Sequence, residues 1–257
     1  MAKGRVPKKI HDLEHPDIKK LRKLVAEKFG WVEMNKDVGQ WAQQCVSFQV
    51  NKVHRHTKSP HGNFQVPKKR FVWSHIDLVG QLPSSCGNIW VMTIVDRTTR
   101  YIEAVPLCNP TAQTVADTYL LNWVAKFSIP GHLTSDHGVQ FTSQVWEIMA
   151  KALGTKLHRT TPYHPQANGL VERQHRKMKD ALKSRLDGRP NWSQELWAVL
   201  LGMRTSPRLE LGAWSGELVS GTPIMVPRDL ITTKDYEPET GEVTQKNQAN
   251  RSRPHAC

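Results

Sequence analysis

Apolar positions along the chain change their spacing twice, and the changes separate three zones. In the first, DIKKLRKLVAEKFGW puts Ile18, Leu21, Leu24, Val25 and Phe29 on one helical stripe, and DVGQWAQQCVSF repeats the arrangement with Val38, Trp41, Cys45 and Phe48. Two short amphipathic helices sharing one core predict a small helical domain over residues 5–52. Residues 53–69 have almost no apolar periodicity, two prolines and many basic side chains, which is the composition of a linker.

Beyond the linker the period shortens toward two. FVWSHIDLVG and NIWVMTIVDRTTRYIEAVPL are rich in β-branched and aromatic residues and are broken at LPSSCGN and DRTTR, which predicts three consecutive strands with hairpin-like links. Helical spacing returns in TAQTVADTYLLNWVAKF, behind a Thr start, until Pro130 and Gly131 stop it. HLTSD is a short strand, SQVWEIMAKALG a helix closed by Gly154, and KLHRTT another short strand. ANGLVERQHRKMKDALKSRL and NWSQELWAVLLGMR are helices. Strands first, then helix alternating with strand, predict an α/β fold over residues 70–227, a mixed sheet flanked by helices. Residues 228–257 are polar and without pattern, so a disordered tail is expected there.

Composition adds a partner to this picture. With 257 residues, 38% of them hydrophobic, and nine tryptophans, the chain can bury one good core and a small accessory domain. Its formal charge of +13 points to a polyanion. Residues 1–70 hold 16 Lys and Arg against 6 Asp and Glu, and residues 151–189 hold ten against three, so the positive charge is concentrated in two places. The four cysteines lack the paired spacing of stapled secreted domains, and no run is apolar enough for a signal peptide or a membrane span. A membrane partner is therefore not expected.

Three carboxylates stand where a solvated charge has no evident structural reason. Asp77 interrupts the apolar strand HIDLVG, Asp136 ends the strand TSD before a glycine turn, and Glu172 begins a helix. Taken singly, an Asp after a strand is usually a turn residue and a Glu in a first helical turn complements the dipole. Should the strands of Asp77 and Asp136 lie side by side with the helix packed on them, the three acids converge. Converged carboxylates repel and need a cation between them. Mg²⁺ or Mn²⁺, hard ions that prefer oxygen, suit the set, and a pair of such ions supports in-line displacement at phosphorus.

HIDLVG, TSDHGVQF and YHPQANGLVER, with 35 residues between Asp136 and Glu172, resemble the three catalytic blocks of integrases of retroviruses and Gypsy-type LTR retrotransposons. The similarity runs in order from about His11 to Pro227 and includes VDRTTRYIEAVPL, NWSQELWAVLLGMRTSP and GELVSGTPIMVP. It implies a ribonuclease-H-like core with Asp77, Asp136 and Glu172 as magnesium ligands and catalytic acids. The implied reactions are trimming of the element's DNA ends and attack of the 3′-hydroxyl on a target phosphodiester. It also implies double-stranded DNA as partner, a homo-oligomer and a nuclear location.

Two further sets of residues bear on DNA. Arg176, Lys179 and Lys183 follow Glu172 at helical spacing, with Arg173 beside them, as a row of cations able to hold phosphates. Tyr163, His164, Gln166 and Asn168 offer stacking and hydrogen-bonding groups in a loop before that helix, suited to a DNA end.

At the N-terminus the match breaks. Relatives bind zinc there through two histidines and two cysteines; His11, His15 and Cys45 match, but Phe48 stands where the second cysteine belongs. A closed zinc site needs four ligands. Either His54 or His56 completes the set or zinc binding is weakened or lost, and loss is the expectation. The chain's own Met1 and the lack of a recognisable C-terminal module after Pro227 read as an isolated copy, truncated or repurposed. An active integrase is expected; the alternative is a catalytically inactive, retroelement-derived DNA-binding protein.

Overall fold

The computed structural model describes residues 11, 16–27, 29–45, 69–160, 165–207, 212–226 and 244–245. Asp17 caps the first helix by accepting the Lys20 N–H at 3.0 Å. Helix α1 (Ile18–Ala26) buries Leu21, Leu24 and Val25. The short strand β1 (Phe29–Gly30) leads to helix α2 (Met34–Gln44), which buries Val38 and Ala42. Phe29 closes this cluster, with Ile18 and Trp41 at its margin. The apolar stripes of the sequence thus form the accessory core.

The meander follows. Strands β2 (Trp73–Val79), β3 (Trp90–Asp96) and β4 (Ile102–Leu107) pair antiparallel. The link between β3 and β4 turns on Asp96, which is fully buried. Its oxygens accept the Phe71 N–H at 3.0 Å and the Thr99 N–H and hydroxyl at 2.7 Å each. Helix α3 (Ala112–Tyr119) is capped by Thr111 and runs on through a π-helical turn, Leu120–Val124. Strand β5 (His132–Ser135) then joins β2 in parallel. Helix α4 (Gln144–Leu153) is capped by Ser143 and closed by Gly154 at φ 68°, a left-handed conformation that costs glycine little. Strand β6 (Lys156–Arg159) pairs parallel with β5, giving the sheet order β4-β3-β2-β5-β6.

Side chains alternate between two buried faces. On one, Ile76, Met92, Ile94 and Leu133 meet Tyr119, Trp123, Phe141 and Trp146. On the other, Val79, Val91, Val95 and Ile102 meet helices α5 (Pro165–Leu186) and α6 (Trp192–Thr205) through Met178, Ala181, Leu182, Leu196 and Val199. The expected mixed sheet flanked by helices is therefore present. Helix α7 (Ser215–Ser220) completes the core, and Arg70 ties its chain to it by donating to the Leu218 and Val219 carbonyls at 3.0 and 2.8 Å.

Two features differ from the sequence reading. Helix α5 starts at Pro165, two residues before the ANGLVER stretch, so Gln166 and Asn168 belong to its first turn and not to a loop, and Glu172 is its eighth residue, beyond the opening turn where it was expected. Proline suits a first helical position because its fixed φ is already helical and an N–H there has no partner to lose. In the segment expected to be a disordered tail, Thr244–Gln245 forms β7, antiparallel to Phe29–Gly30. Main-chain pairing needs no apolar pattern, so composition gave no sign of it; the rest of 228–257 lies outside the described residues, as does nearly all of the linker.

Candidate functional site

Register brings the first two acids together. In the parallel pair β2–β5, Trp73 faces His132, Ser74 faces Leu133 and His75 faces Thr134. Continued two residues, that register sets Asp77 level with Asp136, which follows the last residue of β5. Asp77 shares its sheet face with Val79, the face that α5 covers, while Asp136, just past the strand end, is exposed.

Each carboxylate has one oxygen fixed by the backbone. Asp77 Oδ1 accepts the N–H of Leu78 at 2.8 Å, and Asp136 Oδ1 accepts the N–H of Gly138 at 2.9 Å. The Asp136 turn is tight: a Cβ on Gly138 would lie 3.0 Å from Asp136 Oδ1 and 3.1 Å from Gln140 Oε1. Gly138→Ala is expected to push the Asp136 carboxylate aside with little loss of fold, lowering Mn²⁺ affinity several-fold while the thermal midpoint moves by only about 2–4 °C. Titration of Mn²⁺ alongside a melting curve checks this.

Helix α5 carries Glu172, the third acid expected from the sequence. Glu172 is exposed, as are Arg173, Arg176, Lys179 and Lys183, so acid and cations share the solvent side while Met178, Ala181 and Leu182 are buried. The Asp77 carboxyl is pushed up from its usual value to about 6, first by burial, then by the Asp136 charge; the Leu78 N–H and Lys179 oppose the rise, and Glu172 adds to it. The Asp77 carboxyl therefore feels the charge of both other acids.

Two residues that sequence reasoning missed complete the site. His175, one helical turn after Glu172 and nine-tenths buried, places Nδ1 3.3 Å from Asp77 Oδ2. Its Nε2 lies 2.6 Å from the hydroxyl of Thr93, the register partner of Asp77 on β3. Burial, then Lys179, lowers the His175 pKa to about 4, which keeps its ring neutral near pH 7. The i, i+3 spacing from Glu172 was available as a signal, but a lone histidine in a basic helix does not stand out.

The remaining predicted residues divide. Tyr163 and His164 lie outside the described residues. Among the described residues no three His, Cys, Asp or Glu side chains stand close enough to hold a metal ion, so the structure sets Asp77 near Asp136 and Glu172 but does not close the three acids into one cluster. In the N-terminal domain His11 is buried edge-on to Trp41 at 5.0 Å, and Cys45 is half-buried; His15, Phe48, His54 and His56 lie outside the described residues. No described helix is long and apolar enough to cross a membrane.

Known proteins carry the same architecture. The integrase core domain family matches residues 67–165, and the integrase zinc binding domain family matches residues 3–54. The Pro-Pol polyprotein of simian foamy virus type 3 is 32% identical over 197 residues, 76% of this chain and 17% of its own length. The transposon Tf2-3 polyprotein of Schizosaccharomyces pombe is 26% identical over 246 residues, 92% of this chain and 18% of its own. The chain thus spans less than a fifth of the length of these two relatives. Among solved structures, the catalytic core domain of BIV integrase superposes with a TM-score of 0.50 at 24% identity, covering 59% of this chain and 95% of that one. A chain of the simian T-cell lymphotropic virus intasome in complex with PP2A regulatory subunit B56 gamma gives 0.55 at 18% identity, covering 86% and 76%. With an integrase zinc binding domain and an integrase core domain matched in order, and the core's fold shared with solved integrases, this chain belongs to the superfamily of retroviral and retrotransposon integrases.

Proposed function

We propose that this protein is a DNA integrase, a polynucleotidyl transferase that trims the ends of an element's DNA and joins them to target DNA. The observation that carries the proposal is the register that sets Asp77 level with Asp136 just past the end of the adjacent parallel strand, with the Asp136 and Glu172 charges both raising the Asp77 pKa. That repulsion disfavours ionisation of Asp77 unless a cation offsets it. The donor set fits a hard divalent ion, because it offers only carboxylate oxygens and each Asp keeps an oxygen free of the backbone.

Asp77, Asp136 and Glu172 would hold Mg²⁺ or Mn²⁺. A bound pair of such ions activates the attacking oxygen and stabilises the leaving one. In trimming, a water oxygen forms the new bond to phosphorus as the old P–O bond breaks. In joining, the 3′-hydroxyl oxygen attacks a target phosphodiester, one P–O bond forms as one breaks, and the hydroxyl proton leaves to solvent. Arg173, Arg176, Lys179 and Lys183 line the exposed side of α5 and would hold phosphates without reading sequence. Tyr163, His164, Gln166 and Asn168 precede or open that helix and would meet the DNA end. Joining two ends in concert requires more than one active site, so a homo-oligomer acting in the nucleus belongs to the same proposal.

A second reading, a DNA-binding derivative without integrase activity, is favoured by Phe48 in place of the fourth zinc ligand. A strand-transfer assay on duplexes carrying matched element ends separates the two. The enzyme forms joined product with Mn²⁺ or Mg²⁺ and none with EDTA, and Glu172→Gln loses the product while retaining DNA binding. Binding with no product under any metal condition supports the derivative.

A further inference from the structure

Asp77 is held from two sides, and only one of its holders is backbone. Leu78 N–H fixes Oδ1 at 2.8 Å, while His175 Nδ1 reaches Oδ2 at 3.3 Å. The tautomer follows from the two neighbours together. An ionised carboxylate oxygen can only accept, so the nitrogen facing Asp77 Oδ2, Nδ1, carries the hydrogen of the neutral imidazole. Nε2 is then left to accept from the Thr93 hydroxyl at 2.6 Å, whose proton the Asp77 carbonyl at 3.3 Å shares weakly at most. Thr93 is 1% exposed and His175 8% exposed, so water does not compete for the bond between them.

The contact also has a mechanical side. His175 lies three residues beyond Glu172, and residues so spaced share a helix face. A bond from His175 to the sheet therefore fixes the rotation of α5 about its axis, and with it the direction in which Glu172 points. Met178, Ala181 and Leu182 press the following turns onto β2–β4, but such apolar contacts tolerate small rotations that a hydrogen bond resists.

We infer that His175, held by Thr93, is a positioning residue that orients the Asp77 carboxylate and the helix bearing Glu172 for divalent metal binding. The inference rests on the metal reading of the preceding subsection. Groups that orient a metal ligand in this way change metal affinity about 10–100-fold when removed.

Mn²⁺ binding to the full chain, read from the loss of the free-ion electron paramagnetic resonance signal, tests it without an activity assay. His175→Phe keeps the ring volume and removes the donor; affinity is expected to fall about tenfold or more. His175→Asn restores an N–H near the position of Nδ1 and should recover most of that loss. Thr93→Val removes the hydroxyl that holds Nε2, weakens binding several-fold in the natural background, and adds nothing to His175→Phe. Should His175→Phe fail to fold by circular dichroism, His175→Asn and Thr93→Val carry the comparison alone. Unchanged Mn²⁺ affinity in folded His175→Phe, or in Thr93→Val when only that variant folds, overturns the inference. So does a Thr93→Val loss of the same size with and without His175. If the natural chain binds Mn²⁺ no better than Asp77→Asn, the metal reading itself fails, and this inference with it.

Discussion

Asp77→Asn is expected to lower end trimming and joining by about 10³-fold or more, and in the absence of metal to make the fold more stable at neutral pH. The second effect follows from the raised Asp77 pKa. A carboxyl near 6 in the folded chain, against an ordinary 3.8, holds its proton more tightly folded than unfolded. Its contribution to stability is then fully present below about pH 4 and is lost as pH rises through about 6. Above that range the ionised group, buried first and repelled by Asp136 second, opposes folding. The shift corresponds to at most about 3 kcal/mol; the side chain is 29% exposed, so solvent screening reduces this to about 1–2 kcal/mol. Asparagine keeps an acceptor for the Leu78 N–H and removes the charge. Denaturant titrations in EDTA should place Asp77→Asn above the natural chain by that amount at pH 7.5, with the difference closing toward pH 4. Saturating Mn²⁺ should reverse the order, since only the natural chain gains binding energy from it. A variant less stable than the natural chain in EDTA at pH 7.5, or one still active, would sink the assignment.

The contrast between Asp77 and Asp96 shows how far sequence alone could go. Both end or interrupt apolar strands, and Asp96 opens DRTTR, the break read as a turn between two strands. The structure agrees: Asp96 is fully buried and accepts from the Phe71 and Thr99 amides and the Thr99 hydroxyl. Asp77 accepts one amide hydrogen bond, from its own neighbour Leu78. Local spacing distinguished the two because turns are local. The strand order was legible for the same reason where hairpins made it, whereas the parallel β2–β5 pairing that aligns Asp77 with Asp136 stood only as a condition until the sheet was seen.

What stayed illegible depends on distance in sequence. Nothing in HRTTPYHPQANGLVER tells whether Pro165 ends a loop or opens a helix, because proline serves both. Moving the start of α5 to Pro165 places Glu172 two turns inside the helix, where side-chain contacts and not a cap decide its direction. Those contacts, His175 to Asp77 and to Thr93, join residues 98 and 82 positions apart. No periodicity encodes such a meeting; it exists only once β2, β3 and α5 are packed.

Phe141→Ala should show that the Asp136 turn is held from the core, at a cost of about 3–5 kcal/mol in stability. Phe141 is 1% exposed and meets Trp146 edge-on at 5.1 Å. Its N–H donates to the Gly138 carbonyl at 2.9 Å, and the Thr142 N–H donates to the same oxygen at 3.1 Å. Gly138 in turn donates its N–H to Asp136 Oδ1. The ring is thus the anchor of a chain of bonds that ends on the second acid, which gives a physical reason for an aromatic residue five positions after Asp136 in TSDHGVQF. Removing it opens a cavity against Trp146 and frees the turn at once. A loss of this size is a large part of the total for most domains, about 5–15 kcal/mol, and corresponds to a fall in melting midpoint of roughly 10 °C. Mn²⁺ affinity should fall with it even at temperatures where the variant is folded, and Phe141→Leu, which refills most of the space, should lose less than half as much of both. A folded Phe141→Ala variant with full Mn²⁺ affinity would mean that Ser143 and the Gly138 amide hold the turn without the core, and that Asp136 owes its position to the backbone alone.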